Sequence, residues 1–310
     1  MTIEVLPGPD HQALPETTIR TPVKMPEDSD RRDEEIATAQ EKLTRCLQRS
    51  EPVAVAVSGG VDSLTLATLA NRVLPPGACF IFHAVSPAVP AEATERVRAL
   101  AQQERWRLTV FGAGEFGNEN YRSNPVNRCF HCKHSLYESI RQLTGATLLS
   151  GTNRDDLGEY RPGLDAARLF AVRHPYVEVG LTKAAVRRLA ARLGLGDIAE
   201  LPAAPCLASR VETGIRIEAA TLRLVHEVEQ LVIASLNPKV VRCRIRHGAI
   251  VIELDSQTLT RLVERSKLQL TRAISTLAGT CVTVAAGTDI RYEPYQIGSA
   301  FVRDLKMGSY

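Results

Sequence analysis

Between residues 52 and 150 the chain alternates short, wholly apolar runs with longer amphipathic ones. Pro52–Val57 (PVAVAV), Cys79–Val85 (CFIFHAV), Arg107–Phe111 and Ala146–Ser150 read as strands. A strand without polar alternation is covered on both faces, as in parallel sheets. Leu64–Leu74, Ala91–Gln103 and His131–Leu143 carry apolar residues at helical spacing, as does Glu34–Gln48 ahead of the first strand through Ile36, Ala39 and Leu43. Strands alternating with helices at this pitch predict an α/β fold with a doubly wound, mostly parallel sheet.

The pattern changes after Thr152. A polar loop, Asn153–Gly163, precedes a helix at Lys183–Leu193 and a proline-rich stretch, Pro202–Pro205. The rest reads as a smaller α+β unit. It has a helix over Glu218–Leu236, a hairpin of Val240–Arg246 and Ile250–Leu254 turning at His247-Gly248, a helix over Thr258–Leu277 and a last strand at Cys281–Ala285. Residues 1–33 hold five prolines and little apolar content, which predicts a disordered or extended tail. The expected organisation is therefore a tail (1–33), an α/β domain (34–215) and a small α+β domain (216–310). The length of 310 residues agrees with two domains.

Charge and composition narrow the function. Lys and Arg number 38 against 35 acidic residues, a net +3, and aromatic residues are only 5%. That balance argues against a nucleic-acid coat, and the scarcity of rings against a single-strand binder. No apolar run reaches the ~18 residues of a membrane span, and the start lacks a secretory pattern. A cytoplasmic protein is expected. Thiols stay reduced there, so the seven cysteines point to metal or catalysis rather than disulfides.

The sharpest motif is Ser58-Gly59-Gly60-Val61-Asp62-Ser63, set between a buried strand and a helix. Its glycines let the backbone approach an anion, the helix N-terminus holds phosphate, Ser58 and Ser63 add hydroxyls, and Asp62 can cap the helix or sit near Mg²⁺. After the fourth strand, Gly151, Thr152, Asn153, Asp155 and Asp156 stand where doubly wound sheets bind ligands. Arg161 and Arg168 could neutralise phosphate or carboxylate charge. Cys129-Phe130-His131-Cys132 opens a helix, and Cys206 lies in PAAPCLASR (Pro202–Arg210). Three thiolates can hold a metal or cluster with one open position. Structural thiols or a redox pair are the alternative. Cys46, Cys79, Cys243 and Cys281 sit in apolar periodic segments as expected core residues.

SGGVDS resembles the loop of the PP-loop ATP pyrophosphatases, which have the adenine nucleotide alpha hydrolase-like fold. Further segments are similar to the LarE-type ATP-dependent sacrificial sulfur transferases. These are VAVAVSGGVDS (Val53–Ser63), NPVNRCFHCKHSLY (Asn124–Tyr137), GTNRDDLGEYRPGLDA (Gly151–Ala166), Gly180–Gly194, PAAPCLASR and VVRCRIRHGAIVIEL (Val240–Leu254). The likeness spans roughly residues 34 to 285.

The resemblance implies adenylation of a carboxylate of pyridinium-3,5-biscarboxylate mononucleotide followed by thiolation, in nickel-pincer cofactor biosynthesis for lactate racemase. It implies ATP held with Mg²⁺ by Ser58, Gly59, Gly60, Asp62, Ser63, Gly151, Thr152 and Arg210, with Asp62 and Cys206 as the catalytic pair. Arg161, Arg242, Arg244 and Glu253 would face substrate and phosphate. The presence of Cys129 and Cys132 beside Cys206 resembles the subtype with a three-cysteine [4Fe-4S] cluster fed by a sulfide donor, in which Cys206 is a ligand; in other members the matching cysteine gives up its own sulfur. A symmetric homo-oligomer follows from the same likeness.

One stretch departs from the family. After the last strand relatives continue with Asp-Leu and Gly-Tyr-Arg, where this chain has Gly287-Thr288-Asp289 and then Arg291-Tyr292. The rivals are an Fe–S-dependent tRNA thiolase, which would need a basic groove beyond Arg242, Arg244 and Arg246, and a non-catalytic zinc- or nucleotide-binding protein.

Overall fold

A computed structural model describes residues 26–158, 161–202, 205–285 and 287–301 (for 26–30, the backbone alone). Helix α1 (Pro26–Gln48) leads into β1 (Val53–Ala56), α2 (Val61–Val73), β2 (Cys79–Ala84), α3 (Ala91–Gln103) and β3 (Leu108–Phe111). The short α4 (Glu119–Arg122) and the long α5 (Arg128–Leu143) precede β4 (Thr147–Ser150), α6 (Pro162–Leu169), α7 (Pro175–Glu178) and α8 (Lys183–Arg192). The second half holds α9 (Ala219–Leu236), β5 (Val241–Arg246), β6 (Ala249–Leu254), α10 (Ser256–Arg261), α11 (Glu264–Gly279) and β7 (Asp289–Pro294).

The first sheet has the order β3-β2-β1-β4 and is parallel throughout. Helices cover both of its faces. Val53 and Val55 of β1 point into a core shared with α1, α2, α3 and α8, whereas Ala54, with Phe82 and Leu148, packs on α5 and α6. That two-sided burial explains the unbroken apolar runs. Because β2 and β4 flank β1, the chain leaves the centre of the sheet in opposite directions. The crevice at such a reversal, outside the carboxyl ends of the strands, is where doubly wound sheets bind ligands.

The second sheet, β5-β6-β7, is antiparallel then parallel and packs with α9 and α11 around a core of its own. Cys132 of α5 and Tyr121 of α4 join that second core, so α4 and α5 are shared between the two halves. Among the described residues no helix is long and apolar enough to cross a membrane.

Three expectations shift. Residues 1–25 of the expected tail lie outside the described residues, but α1 already begins at Pro26 rather than Glu34. Proline is well suited to the first helical position, and that extra stretch carries no apolar spacing to reveal it. The helix expected at Thr258–Leu277 is two helices, because Leu262 and Val263 are extended (ψ 95° and 153°). The last strand is Asp289–Pro294, not Cys281–Ala285. The earlier stretch forms a turn with Val284 N–H bonded to Cys281 O (3.1 Å), and Val282 is exposed. β7 pairs along one side only, so its charged residues hide it from an apolar-run search.

Candidate nucleotide and thiol site

The hexapeptide Ser58–Ser63 fills the turn from β1 to α2. Gly59 has φ +83°, and a Cβ there would lie 2.8 Å from the carbonyl oxygen of Ala93, so the position admits only glycine. Ser63 shapes the loop from within: its hydroxyl accepts from Ser58 N–H (3.1 Å) and donates to Gly60 O (3.1 Å). Gly60 provides no side-chain cap for α2. The first N–H groups of a helix have no partner inside it, and here they are the donors an anion would meet. Arg96 holds the carbonyl of Gly59 (2.8 Å).

Across the crevice, Gly151 lies so close that a Cβ would stand 2.9 Å from both Asp62 C and Ser63 N. This contact fits the loop after β4 against the loop after β1. Asn153 Nδ2 donates to Asp62 Oδ1 (3.4 Å), Lys183 Nζ pairs with Asp62 Oδ2, and Tyr176 Oη donates to the Asp62 carbonyl (3.0 Å). Asp155 accepts from Lys183 N–H (2.9 Å), fixing the start of α8. Asp156 accepts from Asn153 N–H (3.0 Å) and pairs with Arg161 (2.8 Å). The Thr152 hydroxyl reaches Ser150 Oγ (3.0 Å). Arg168 pairs with Asp165 on an exposed surface (3.1 Å).

Arg161 carries this polar seam to the cysteines. Burial raises the pKa of the Cys129 thiol, the nearby Cys206 raises it further, and Arg128, Lys133 and Arg161 pull it back. Burial, then Cys206, pushes Cys132 up to about 12. All three thiols thus sense one another, with Cys206 exposed and the other two partly covered. His131 stays on the helix with its pKa lowered by burial and by His134.

Among the described residues, no three His, Cys, Asp or Glu side chains stand close enough to share one metal ion. The donor chemistry nevertheless suits a sulfur-rich cluster: three soft thiols flanked by cations. Cys129 and Cys132 lie one turn apart on one helix face.

Arg210 tethers that loop. Its side chain is 5% exposed and binds Glu229 through two nitrogens (2.9 and 3.0 Å). It also donates to Pro205 O (2.6 Å), Cys206 O (3.2 Å) and Ser209 Oγ (3.1 Å). Arg242, Arg244 and Arg246 share one face of β5, while Cys243 and Ile245 enter the core on the other. Arg244 forms a buried pair with Glu253 (2.9 Å) and donates to Ser209 O (3.1 Å). Arg242 lies over the Tyr295 ring, 5.6 Å from its centroid. Burial and the neighbouring Arg210 charge lower its pKa, and such crowding of like charges attracts an anion.

No family model matches the chain. An uncharacterized protein of Synechocystis is 34% identical over 228 residues, 72% of this chain and 84% of that one. Pyridinium-3,5-bisthiocarboxylic acid mononucleotide synthase of Lactiplantibacillus plantarum is 26% identical over 223 residues, 71% of this chain and 80% of the synthase. The chain belongs to the same family as the Synechocystis protein, and its likeness to the synthase supports the LarE-type resemblance. An uncharacterized protein of Methanocaldococcus jannaschii is 24% identical over 71% of this chain.

Within this fold the expected residues form two groups. Ser58, Gly59, Gly60, Asp62, Ser63, Gly151 and Thr152 gather at the crevice, whereas Arg210, Arg242, Arg244 and Glu253 gather behind the Cys206 loop. Asp289, in the stretch that departs from the family, pairs with Arg291 at an exposed strand end (2.6 Å). Sequence reasoning missed Lys183, Glu229 and Tyr176. Lys183 did carry a signal: it opens α8, whose first turn has no acidic residue, and a cation at a helix N-terminus opposes the dipole unless it has another task.

Proposed function

We propose that the chain is an ATP-dependent sulfur transferase that adenylates a carboxylate of a pyridinium-biscarboxylate mononucleotide and exchanges one oxygen for sulfur. The observation that carries the reading is the continuous polar seam from the phosphate loop to the thiols: Asp62 to Asn153, Asn153 to Asp156, Asp156 to Arg161, and Arg161 to Cys129 through its charge. The name of the Lactiplantibacillus plantarum relative supports the choice of substrate.

A carboxylate is a poor electrophile because its oxygen leaves badly. Substrate oxygen attacks the α-phosphorus of MgATP, the α–β bridging bond breaks, and pyrophosphate departs. The N–H groups of α2's first turn and the Lys183 ammonium meet the charge that builds on the leaving group, the interaction that most lowers such barriers. Asp62 holds Lys183 at that position. The carboxyl carbon of the acyl adenylate then takes a sulfur nucleophile, its bond to the AMP oxygen breaks, and AMP leaves with that oxygen.

Arg242, beside Arg210, holds the mononucleotide phosphate. Cys129, Cys132 and Cys206 would hold a [4Fe-4S] cluster, which when bound supplies an open iron position for an extra sulfide. Arg210 keeps the Cys206 backbone in place, through its carbonyl.

The test is anaerobic incubation with ATP, sulfide and the dicarboxylate mononucleotide. Pyrophosphate release and a product heavier by one sulfur-for-oxygen exchange are expected. Cys206→Ala should lose the sulfur product while keeping pyrophosphate release. A protein that binds ATP but forms neither product would refute the proposal.

A further inference from the structure

Beside the three thiols lies a set of hydrogen-bond donors without acceptors. Arg128 is 1% exposed, and although its Nη1 donates to Asn124 Oδ1 (2.8 Å), its Nε and Nη2 have no hydrogen-bond partner among the described residues. Tyr121 is 2% exposed, and its hydroxyl likewise has none among them. Buried donors left unmade are costly, more so when charged, so their survival asks for an acceptor. Arg128 opens α5, a helix of 16 residues with no side-chain cap and no acid in its first turn. Dipole, guanidinium and phenol thus come together at one end of a helix.

The neighbours define the ligand. Burial, then the nearby Cys206, Cys132 and Glu115, raise the pKa of the Tyr121 hydroxyl, with Arg128 opposing, so it keeps its proton and can donate it to an anion. Glu115 is itself 5% exposed, and its charge would repel a dianion such as phosphate. The Phe301 ring covers one face of the guanidinium at 4.5 Å, so an anion would meet it at its Nε–Nη2 edge. We infer that Tyr121 and Arg128 form a pocket for a small monoanion, hydrosulfide in the working enzyme, next to the cysteines. The inference rests on the sulfur-transfer reading for the identity of the anion, not for the existence of the pocket. No bond is made or broken there: HS⁻ is held as an anion beside the cysteines until they take it up for transfer.

Azide, an unreactive monoanion with an environment-sensitive infrared band, serves as the probe on the full-length protein without ATP. A saturable shifted band is expected, displaced by hydrosulfide but not by equal phosphate. Tyr121→Phe removes one oxygen and keeps the ring against Phe116 (centroids 5.5 Å apart). It should weaken azide about tenfold, as expected for one charge-assisted bond. Arg128→Gln should abolish the band. In the full reaction Tyr121→Phe should raise KM for sulfide and leave KM for ATP unchanged. Absence of a saturable band, or a band insensitive to Tyr121→Phe, would overturn the pocket. Azide binding in a protein that never transfers sulfur would overturn the proposed function and leave the pocket standing.

Discussion

Replacing Arg210 by Met tests how the Cys206 loop is held. Arg210 and Glu229 are 5% and 9% exposed and form a bidentate pair, so the substitution leaves a buried carboxylate that keeps the Cys243 N–H (3.0 Å) and the nearby Arg242 charge. Breaking one side of such a pair costs about 3–5 kcal/mol. At roughly 2–4 °C per kcal/mol for a chain of this class, the melting temperature should fall by roughly 6–20 °C.

The double variant Arg210→Met/Glu229→Leu removes the stranded charge and should recover most of that loss. A residual deficit of about 1–3 kcal/mol is expected from Cys243 N–H, which would lack its acceptor. Neither variant restores the bonds to Pro205 O and Cys206 O, so sulfur transfer should stay low in both while pyrophosphate release persists. Thermal and urea unfolding, run beside the two product assays, separate these effects. A single variant that loses under ~1 kcal/mol, or a double variant that transfers sulfur normally, would refute the tether.

Lys183→Met should reduce pyrophosphate release about 10²–10³-fold, the usual effect of removing one donor to developing charge, with circular dichroism unchanged. Gly151→Ala places a methyl 2.9 Å from Ser63 N and should weaken ATP binding, measured by calorimetry, more than it lowers the melting temperature. His83 is fully buried between Val57 O (2.9 Å) and Thr94 Oγ1 (2.9 Å), and burial lowers its pKa below the ordinary 6.5, the Val57 contact opposing and Arg98 adding to the effect. The unfolded chain therefore binds the proton more readily, so this contribution to stability is complete above pH 6.5 and is lost as pH falls through the folded pKa. The urea midpoint should drop on acidification, and His83→Gln should flatten that dependence.

The parallel sheet was legible because β1, β2 and β4 are buried on both faces and so leave unbroken apolar runs. β7 was not, because a strand paired on one side needs only Ile290 and Tyr292 to turn inward, and two apolar residues among charges carry little period. The same asymmetry governs the site. Gly59 and Gly151 announce themselves because only glycine survives a positive φ or a 2.9 Å approach. Arg210, Arg244 and Glu253 could be picked out as charged residues that should matter, but their typical place is the surface, and nothing in spacing says they are buried. Glu229 lies 19 residues from Arg210 on α9, and Glu253 nine from Arg244 across the hairpin, spacings that match no helical or strand period. A buried arginine balanced by a buried glutamate is mute in sequence, as is one left unbalanced. Arg128 is of the second kind, and for that residue only the count of unmet donors in the folded chain distinguishes a structural role from a ligand's place.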